Sequence, residues 1–171
     1  EGQEVILGSP FDYPNAVQVI LTPDVPEPDS PGYQKAAHQA ILELVKATMG
    51  HTLVLFTSNA ALKATRMGIK EDLEAMGVQV IGQGIDGSPR QLVQAFVKNP
   101  RTVLLGTNSF WEGVDLPVGL LKALVVMRIP FNVPTDPVFA ARYQLFEDPF
   151  NQYAVPQAVL RFRQGFGRLI R

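Results

Sequence analysis

The residues best suited to chemistry in this sequence are the arginines of the last segment, residues 157–171. That segment contains four arginines and no acidic residue. Arg168 and Arg171 are three positions apart, so on a helix they would share one face with Gln164, one turn earlier. Such a pair can grip a triphosphate, because each planar guanidinium stays charged and pairs bidentately with phosphate oxygens. Gly167 would allow a backbone or ligand to approach closely. The spacing alone is equally typical of a solvated basic helix.

A second polar stretch follows a strand-like run at residues 102–105. Three neutral side chains there can donate to phosphates, namely Thr107, Asn108 and Ser109. Asp115 offers a carboxylate that could accept a hydrogen bond from a ribose hydroxyl, and Trp111 offers a face for stacking on a base. Core packing is the alternative for Trp111 and for Phe110.

The elements that must position these residues follow a β-α-β pattern. Several candidate strands are apolar throughout, which is typical of parallel strands covered by helices on both faces. The candidate strands are residues 5–7, 17–21, 52–57, 78–81, 102–105 and 123–127. Helix-period stretches lie at 33–49, 59–76, 88–97 and 136–146, and a last helix covers 157–171. Asn59 and Ser88 are the expected N-caps, whereas 22–31 and 147–156 are expected to be irregular. The pattern predicts an α/β fold, a doubly wound and mainly parallel sheet with binding loops at the carboxyl ends of its strands.

Composition narrows the class of protein. With 171 residues and 46% hydrophobic side chains, the chain fits one compact domain. Its formal charge is −1, so any contact with nucleic acid must be local. It has no cysteine for a disulfide, a thiolate metal site or an iron–sulfur cluster, and two histidines without clustered acids predict no metal site. No apolar run approaches the roughly 20 residues that cross a membrane, so we expect a cytoplasmic protein.

An ordered series of motifs resembles one helicase family. The pattern Gln164-Xaa-Xaa-Gly167-Arg168-Xaa-Xaa-Arg171 is similar to motif VI of superfamily 2 helicases, and residues 110–117 (Phe-Trp-Glu-Gly-Val-Asp-Leu-Pro) resemble motif V of the DinG branch. Further landmarks are residues 9–13, 55–58 (motif IV), 128–131, 134, 136–137 and 149–165. The series spans nearly the whole chain and resembles that of DinG-type, XPD-like DNA helicases.

The resemblance implies a particular domain organisation. Residues 1–171 would form the second RecA-like motor domain, cut short at its carboxyl end because relatives continue with another strand and helix. The first motor domain would be absent, since the chain contains no Gly-Lys-Ser or Gly-Lys-Thr. ATP with Mg²⁺ would be held mainly by that first domain. An iron–sulfur cluster, where the longer protein has one, would lie in an insertion of the same domain.

The resemblance also implies roles for individual residues. Arg168 and Arg171 would reach the γ-phosphate as arginine fingers, and Gln164 would couple nucleotide state to domain closure. The residues implied near the nucleotide are Glu112, Gly113, Asp115 and Gly167. The residues implied along single-stranded DNA are Thr57, Ser58, Asn59, Thr107, Asn108, Ser109 and Trp111. Arg66 would either touch a DNA phosphate or be a solvated helix residue.

The resemblance implies a motor domain of a DNA-repair helicase. It would move 5′-to-3′ on single-stranded DNA, at the bacterial nucleoid. The alternative is a stand-alone α/β module that binds a nucleotide or a protein without motor activity; it predicts measurable ATP affinity for the isolated chain. A dinucleotide-binding oxidoreductase is disfavoured, because no Gly-Xaa-Gly-Xaa-Xaa-Gly follows the first strand.

Overall fold

The computed structural model describes residues 12–112, 116–117, 119–167 and 169. The helices are α1 (Tyr13–Ala16), α2 (Tyr33–Thr48), α3 (Asn59–Ala75), α4 (Pro89–Lys98), α5 (Asn108–Glu112), α6 (Pro137–Tyr143) and α7 (Val155–Phe166), and a π-helical turn covers Phe150–Ala154. The strands are β1 (Thr52–Leu55), β2 (Gln79–Gly82), β3 (Thr102–Gly106) and β4 (Ala123–Val126). The expected candidate strand at residues 5–7 lies outside the described residues.

The four strands form one parallel sheet in the order β2-β3-β1-β4. Leu53 of β1 is level with Leu104 of β3 and with Leu124 of β4. Because all the strands are parallel, their carboxyl ends meet at one edge, and the loops after β1, β2 and β3 become neighbours there. The prediction of an α/β, RecA-like sheet is confirmed.

Two apolar clusters cover the two faces of this sheet, because successive strand residues point to opposite sides. Val54 and Phe56 pack with residues of α2 and α3, including Ile41 and Ile69. On the other face lies a second cluster, which contains Leu53, Leu55, Leu92, Phe96, Phe110 and Trp111. Helices therefore cover both faces of the sheet, as the apolar strands predict.

Local capping fixes the starts of three helices. Ser58 caps α3 by accepting from the Ala61 N–H at 3.2 Å, so the expected N-cap Asn59 is wrong by one position and is the first helical residue. Ser88 caps α4 in a capping box with Gln91, as expected, and Pro89 occupies the first turn. Asp136 caps α6 by accepting from the Phe139 N–H at 2.7 Å. Capping thus fixes where α3 leaves the sheet edge.

The structure departs from the sequence prediction at residues 17–21 and at residues 147–156. Residues 17–21 do not form a strand: among the described residues no neighbouring strand takes up their backbone hydrogen bonds, and Val19, Ile20 and Leu21 are exposed. The expected break at 147–156 instead contains the π-helical turn, which runs directly into α7. The Val155 N–H closes that turn on the Phe150 carbonyl, just before Pro156, which has no N–H to donate.

The last helix is shorter than predicted. α7 ends at Phe166, and Gly167 is its C-cap. Leu169 lies in a turn, and its N–H donates to the Phe166 carbonyl at 3.0 Å. Two glycines among the last residues, Gly165 and Gly167, weaken the helix at this point. A helix that continues to residue 171 is therefore not seen in the described part of the chain.

Candidate nucleic-acid and nucleotide site

The carboxyl edge of the sheet gathers polar side chains from three loops. Thr57 and Ser58 follow β1, Gln83 follows β2, and Thr107 and Ser109 follow β3. Thr57 and Ser109 are exposed, whereas Thr107 is 7% exposed. The structure thus brings the predicted neutral donors of two loops together and adds a third, the loop after β2, which lies on the far side of the β3 loop from β1.

Gln83 links these loops through its side-chain amide. Its Oε1 accepts from the Thr107 N–H at 2.8 Å and from the Thr107 hydroxyl at 3.1 Å. Its Nε2 donates to Oγ of Ser109 at 3.2 Å. The same edge therefore has a small hydrogen-bond network, in which one amide bonds to Thr107 and Ser109, two of the predicted DNA-binding residues after β3.

Asn59 joins the network from the start of α3. Its Oδ1 lies 3.4 Å from the Thr107 hydroxyl, which is also 3.1 Å from Oε1 of Gln83. A threonine hydroxyl has one proton and donates to one acceptor at a time, and the shorter contact to Gln83 is the stronger. The Thr107 hydroxyl therefore serves the protein's own network, and the Asn59 amide group still has its donors available at an exposed position.

The stacking role predicted for Trp111 is corrected. Its side chain is 2% exposed, and its indole N–H donates to the Phe56 carbonyl at 3.0 Å. A Cβ built on Gly165 would lie 2.7 Å from Cε3 of Trp111, which shows how tightly α7 packs on the ring. Because burial closes the ring to a DNA base in this structure, Trp111 is a core residue that joins α5, the sheet and α7.

The structure corrects one of the two roles considered for Arg66, that of a solvated helix residue. Its guanidinium forms a two-pronged ion pair with Asp86, with Nε to Oδ2 at 3.0 Å and Nη2 to Oδ1 at 2.7 Å. The Asp86 carboxylate also accepts from the Gly82 N–H at 2.8 Å. The bidentate pair therefore fixes Arg66 to the turn after β2, and its contact with a DNA phosphate stays a prediction.

The predicted nucleotide-contacting residues are described only in part. Gln164 is exposed on α7, next to the buried Gly165, and Gly167 has ordinary right-handed backbone angles as the C-cap. Four predicted residues lie outside the described residues, namely Gly113, Asp115, Arg168 and Arg171. The side chains of Asn108 and Glu112 also lie outside, although both residues belong to α5. Their roles stay predictions.

Histidines and acids form no metal site in the described part of the chain, where no group of three or more potential ligands comes together. His38 lies between α2 and α3, where burial lowers its pKa. Burial, and then the charge of Lys122, lower the pKa of His51. Both histidines thus favour the neutral form, and neither belongs to the polar edge: His38 is on α2, and His51 precedes β1, at the strand end opposite that edge. Within the same part of the chain, no helix is long and apolar enough to cross a membrane.

Sequence reasoning missed Gln83 as a member of the site. The signal that singles out Thr57 and Thr107, a polar residue directly after a buried strand, applies equally to Gln83. The strand-end rule would therefore have found it.

Comparison with known proteins decides the family. The sequence profile of the helicase C-terminal domain family matches residues 41–171. The chain belongs to the helicase C-terminal domain family. Its relatives among characterised proteins show that this helicase domain is of the DinG type.

Three relatives illustrate the match. The helicase domain is 37% identical to the "3'-5' exonuclease DinG" of Bacillus subtilis over 95% of the chain. It is 32% identical to the "ATP-dependent DNA helicase YoaA" of Escherichia coli over 100% of the chain, and 35% identical to the "ATP-dependent helicase DinG" of Mycobacterium tuberculosis over 96%. The matched regions are only 18%, 27% and 25% of those relatives' own lengths. This helicase domain therefore corresponds to a fraction of each relative.

Proposed function

We propose that the chain is the second motor domain of an ATP-dependent DNA helicase, which supplies arginine fingers and part of the single-stranded DNA track. One observation supports this most directly: in a chain of the helicase C-terminal family, three successive loops present neutral donors at one edge of the sheet. Two named relatives, YoaA and the mycobacterial DinG, are ATP-dependent helicases. The whole activity would require the rest of the polypeptide.

The DNA side of the proposal uses hydrogen bonds more than charge. Hydroxyl and amide donors fix the register of a phosphate backbone without adding positive charge, which suits a chain of net charge −1. Among the described residues of the edge, Thr57, Ser58, Asn59 and Ser109 carry donor groups and are exposed. They would contact successive phosphates or sugars of one strand.

The nucleotide side of the proposal rests on Arg168, Arg171 and Gln164. A guanidinium delivered from a second domain stabilises the charge that builds on a transferring phosphoryl group. ATP binding would draw the two domains together, and hydrolysis would release them, so that alternating grips on DNA give steps. The described residues do not fit a magnesium ion, because they contain no suitable ligand cluster. We therefore assign the phosphate cradle and any metal to the partner domain.

The arginine fingers can be tested in the longer polypeptide that contains this chain. We expect Arg168→Ala and Arg171→Ala each to lower DNA-stimulated ATP turnover by about 10³-fold, while ATP binding changes little, because a finger acts on the transition state. Arg142→Ala is the matched control, since Arg142 is an exposed arginine on α6. Unchanged turnover in both finger variants would refute the assignment.

Polarity is a separate part of the proposal. The helicase should unwind a duplex that has a 5′ single-stranded tail and leave one with a 3′ tail intact, when each substrate is incubated with ATP. Preference for the 3′ tail would reject 5′-to-3′ movement without affecting the finger assignment. A motor with this activity would work on DNA in the bacterial cytoplasm, at the nucleoid.

A further inference from the structure

Gln83 is held at the carboxyl end of β2, beside the β3 loop, by its own backbone. Its N–H donates to the Leu105 carbonyl at 3.0 Å, which extends the pairing of β2 with β3 by one residue. The side chain is half-buried and spans from β2 to the loop that contains Thr107 and Ser109. Both ends of its amide are used there, so its position is defined by four hydrogen bonds.

Thr107 and Ser109, the two residues that bond to the Gln83 amide, differ in whether their hydroxyl proton is used by that amide. Thr107 gives both its N–H and its hydroxyl proton to Oε1 of Gln83, so neither is free for a phosphate. Ser109 instead accepts from Nε2 of Gln83. Because a hydroxyl has one proton and two lone pairs, occupying a lone pair restricts where the proton can point. In the described part of the chain no acceptor takes the Ser109 proton, and the side chain is exposed.

We infer that Gln83 is a positioning residue for DNA binding: it fixes Ser109 as an oriented donor to the phosphate backbone and secures Thr107 as an internal anchor. The inference rests on the proposed DNA track. It also divides the predicted residues of that track, because Ser109 contacts DNA and Thr107 holds the loop.

Two substitutions separate this role from simple loss of structure. Gln83→Met keeps the length of the side chain and removes both polar ends. Gln83→Glu keeps the acceptor for the Thr107 N–H, and so keeps the loop anchored, but has no proton to donate to Ser109. The carboxylate would instead accept the Ser109 proton and withdraw it from DNA. The matched control is Gln94→Met, on the exposed side of α4, where Gln94 makes no hydrogen bond among the described residues.

The experiment measures binding of a fluorescent oligothymidine by the longer polypeptide, together with the DNA concentration that half-activates ATP hydrolysis. We expect Ser109→Ala, Gln83→Met and Gln83→Glu each to weaken DNA binding about tenfold or more, the effect of one lost hydrogen bond to a charged group. The maximal turnover at saturating DNA should stay near that of the wild type. The dependence on salt should stay the same for Ser109→Ala and Gln83→Met, because no cation is removed. Gln94→Met should match the wild type.

A double variant decides whether Gln83 acts through Ser109. If it does, Gln83→Met with Ser109→Ala binds DNA no more weakly than Ser109→Ala alone. Additive losses, or wild-type binding by Gln83→Met, would overturn the inference while leaving the motor proposal in place. Failure of the wild-type polypeptide to bind DNA at all would overturn both.

Discussion

Gly165 on α7 shows how a single missing side chain can set the position of a helix. A Cβ there would lie 2.7 Å from Cε3 and 2.8 Å from Cζ3 of Trp111, and 3.3 Å from Cδ1 of Leu55. The ring cannot easily move away, because it is buried and its N–H is bonded to the Phe56 carbonyl. We therefore expect Gly165→Ala to lower the free energy of unfolding by about 1–3 kcal/mol in urea titration, despite alanine's better helix propensity.

The contact with Trp111 can be tested by relieving it. In a Trp111→Phe background the smaller ring leaves room, so the cost of Gly165→Ala should shrink or reverse sign. A penalty of the same size in both backgrounds would mean that the ring does not set the limit. Because α7 leads directly to the arginines of motif VI, this packing also determines where that segment begins.

At the level of residues, sequence reasoning found the polar edge but misjudged which side chains are free. The order of strands and loops predicts that Thr107 and Ser109 lie at the ligand edge, and the structure agrees. Burial of Trp111 and the pairing of Arg66 with Asp86 depend on contacts between residues distant in the chain. No local spacing reports such contacts, so the stacking role of Trp111 and the solvated state of Arg66 could not be excluded in advance.

The contact of α2 with α3 depends on a part-buried histidine. The Gln34 amide donates to Nε2 of His38 at 2.7 Å and to the Thr65 hydroxyl at 3.1 Å. Gly68 leaves the space that the imidazole occupies, since a Cβ there would overlap the ring. Burial lowers the pKa of His38 from its ordinary value of 6.5. Protonation would also replace the acceptor of the Gln34 amide by a donor, so this helix pair favours the neutral ring.

The sign of the pH effect follows from this lowered pKa. His38 binds a proton more readily in the unfolded state than in the folded state. The stabilisation that its neutral ring contributes is therefore complete above pH 6.5 and is lost as pH falls below it. Urea unfolding between about pH 7.5 and about pH 5.5 should show the free energy of unfolding falling with pH, and His38→Gln should reduce that slope. The pKa of His51 is also lowered, so His38→Gln with His51→Gln should flatten the slope further. If the free energy of unfolding depended on pH equally strongly in both variants, the histidines would not be the cause of that dependence.

At the level of elements, the buried strands and capped helices were predictable because their signals are local. Apolar runs locate β1, β3 and β4, and Ser88 with Pro89 locates the start of α4. The segment at residues 17–21 has the composition of a strand, but a strand also needs a neighbour to pair with, and composition does not supply one. The end of α7 was overestimated because the motif VI spacing suggested one continuous helical face, whereas Gly165 and Gly167 weaken the helix there.

At the level of the whole molecule, the proposal requires a nucleotide site shared between two domains. In that proposal the chain contributes the arginine side of the site and the predicted contacts of Glu112, Gly113 and Asp115, whereas its sequence contains no Gly-Lys-Ser or Gly-Lys-Thr to cradle phosphates. These contacts leave most of the phosphate oxygens and the metal without partners in this chain. Affinity for ATP should therefore belong to the assembled pair of domains.

Calorimetric titration distinguishes this arrangement from a stand-alone nucleotide-binding module. We expect the isolated 171-residue chain, titrated with ATP and Mg²⁺, to bind more weakly than about 1 mM, because isolated phosphate contacts scarcely offset the cost of association. The longer polypeptide under the same conditions should bind at least tenfold more tightly. A cooperative urea unfolding curve for the isolated chain is the control that it is folded during the titration. Micromolar binding by the folded chain alone would favour the stand-alone module, because the phosphate contacts would then all lie within this one domain.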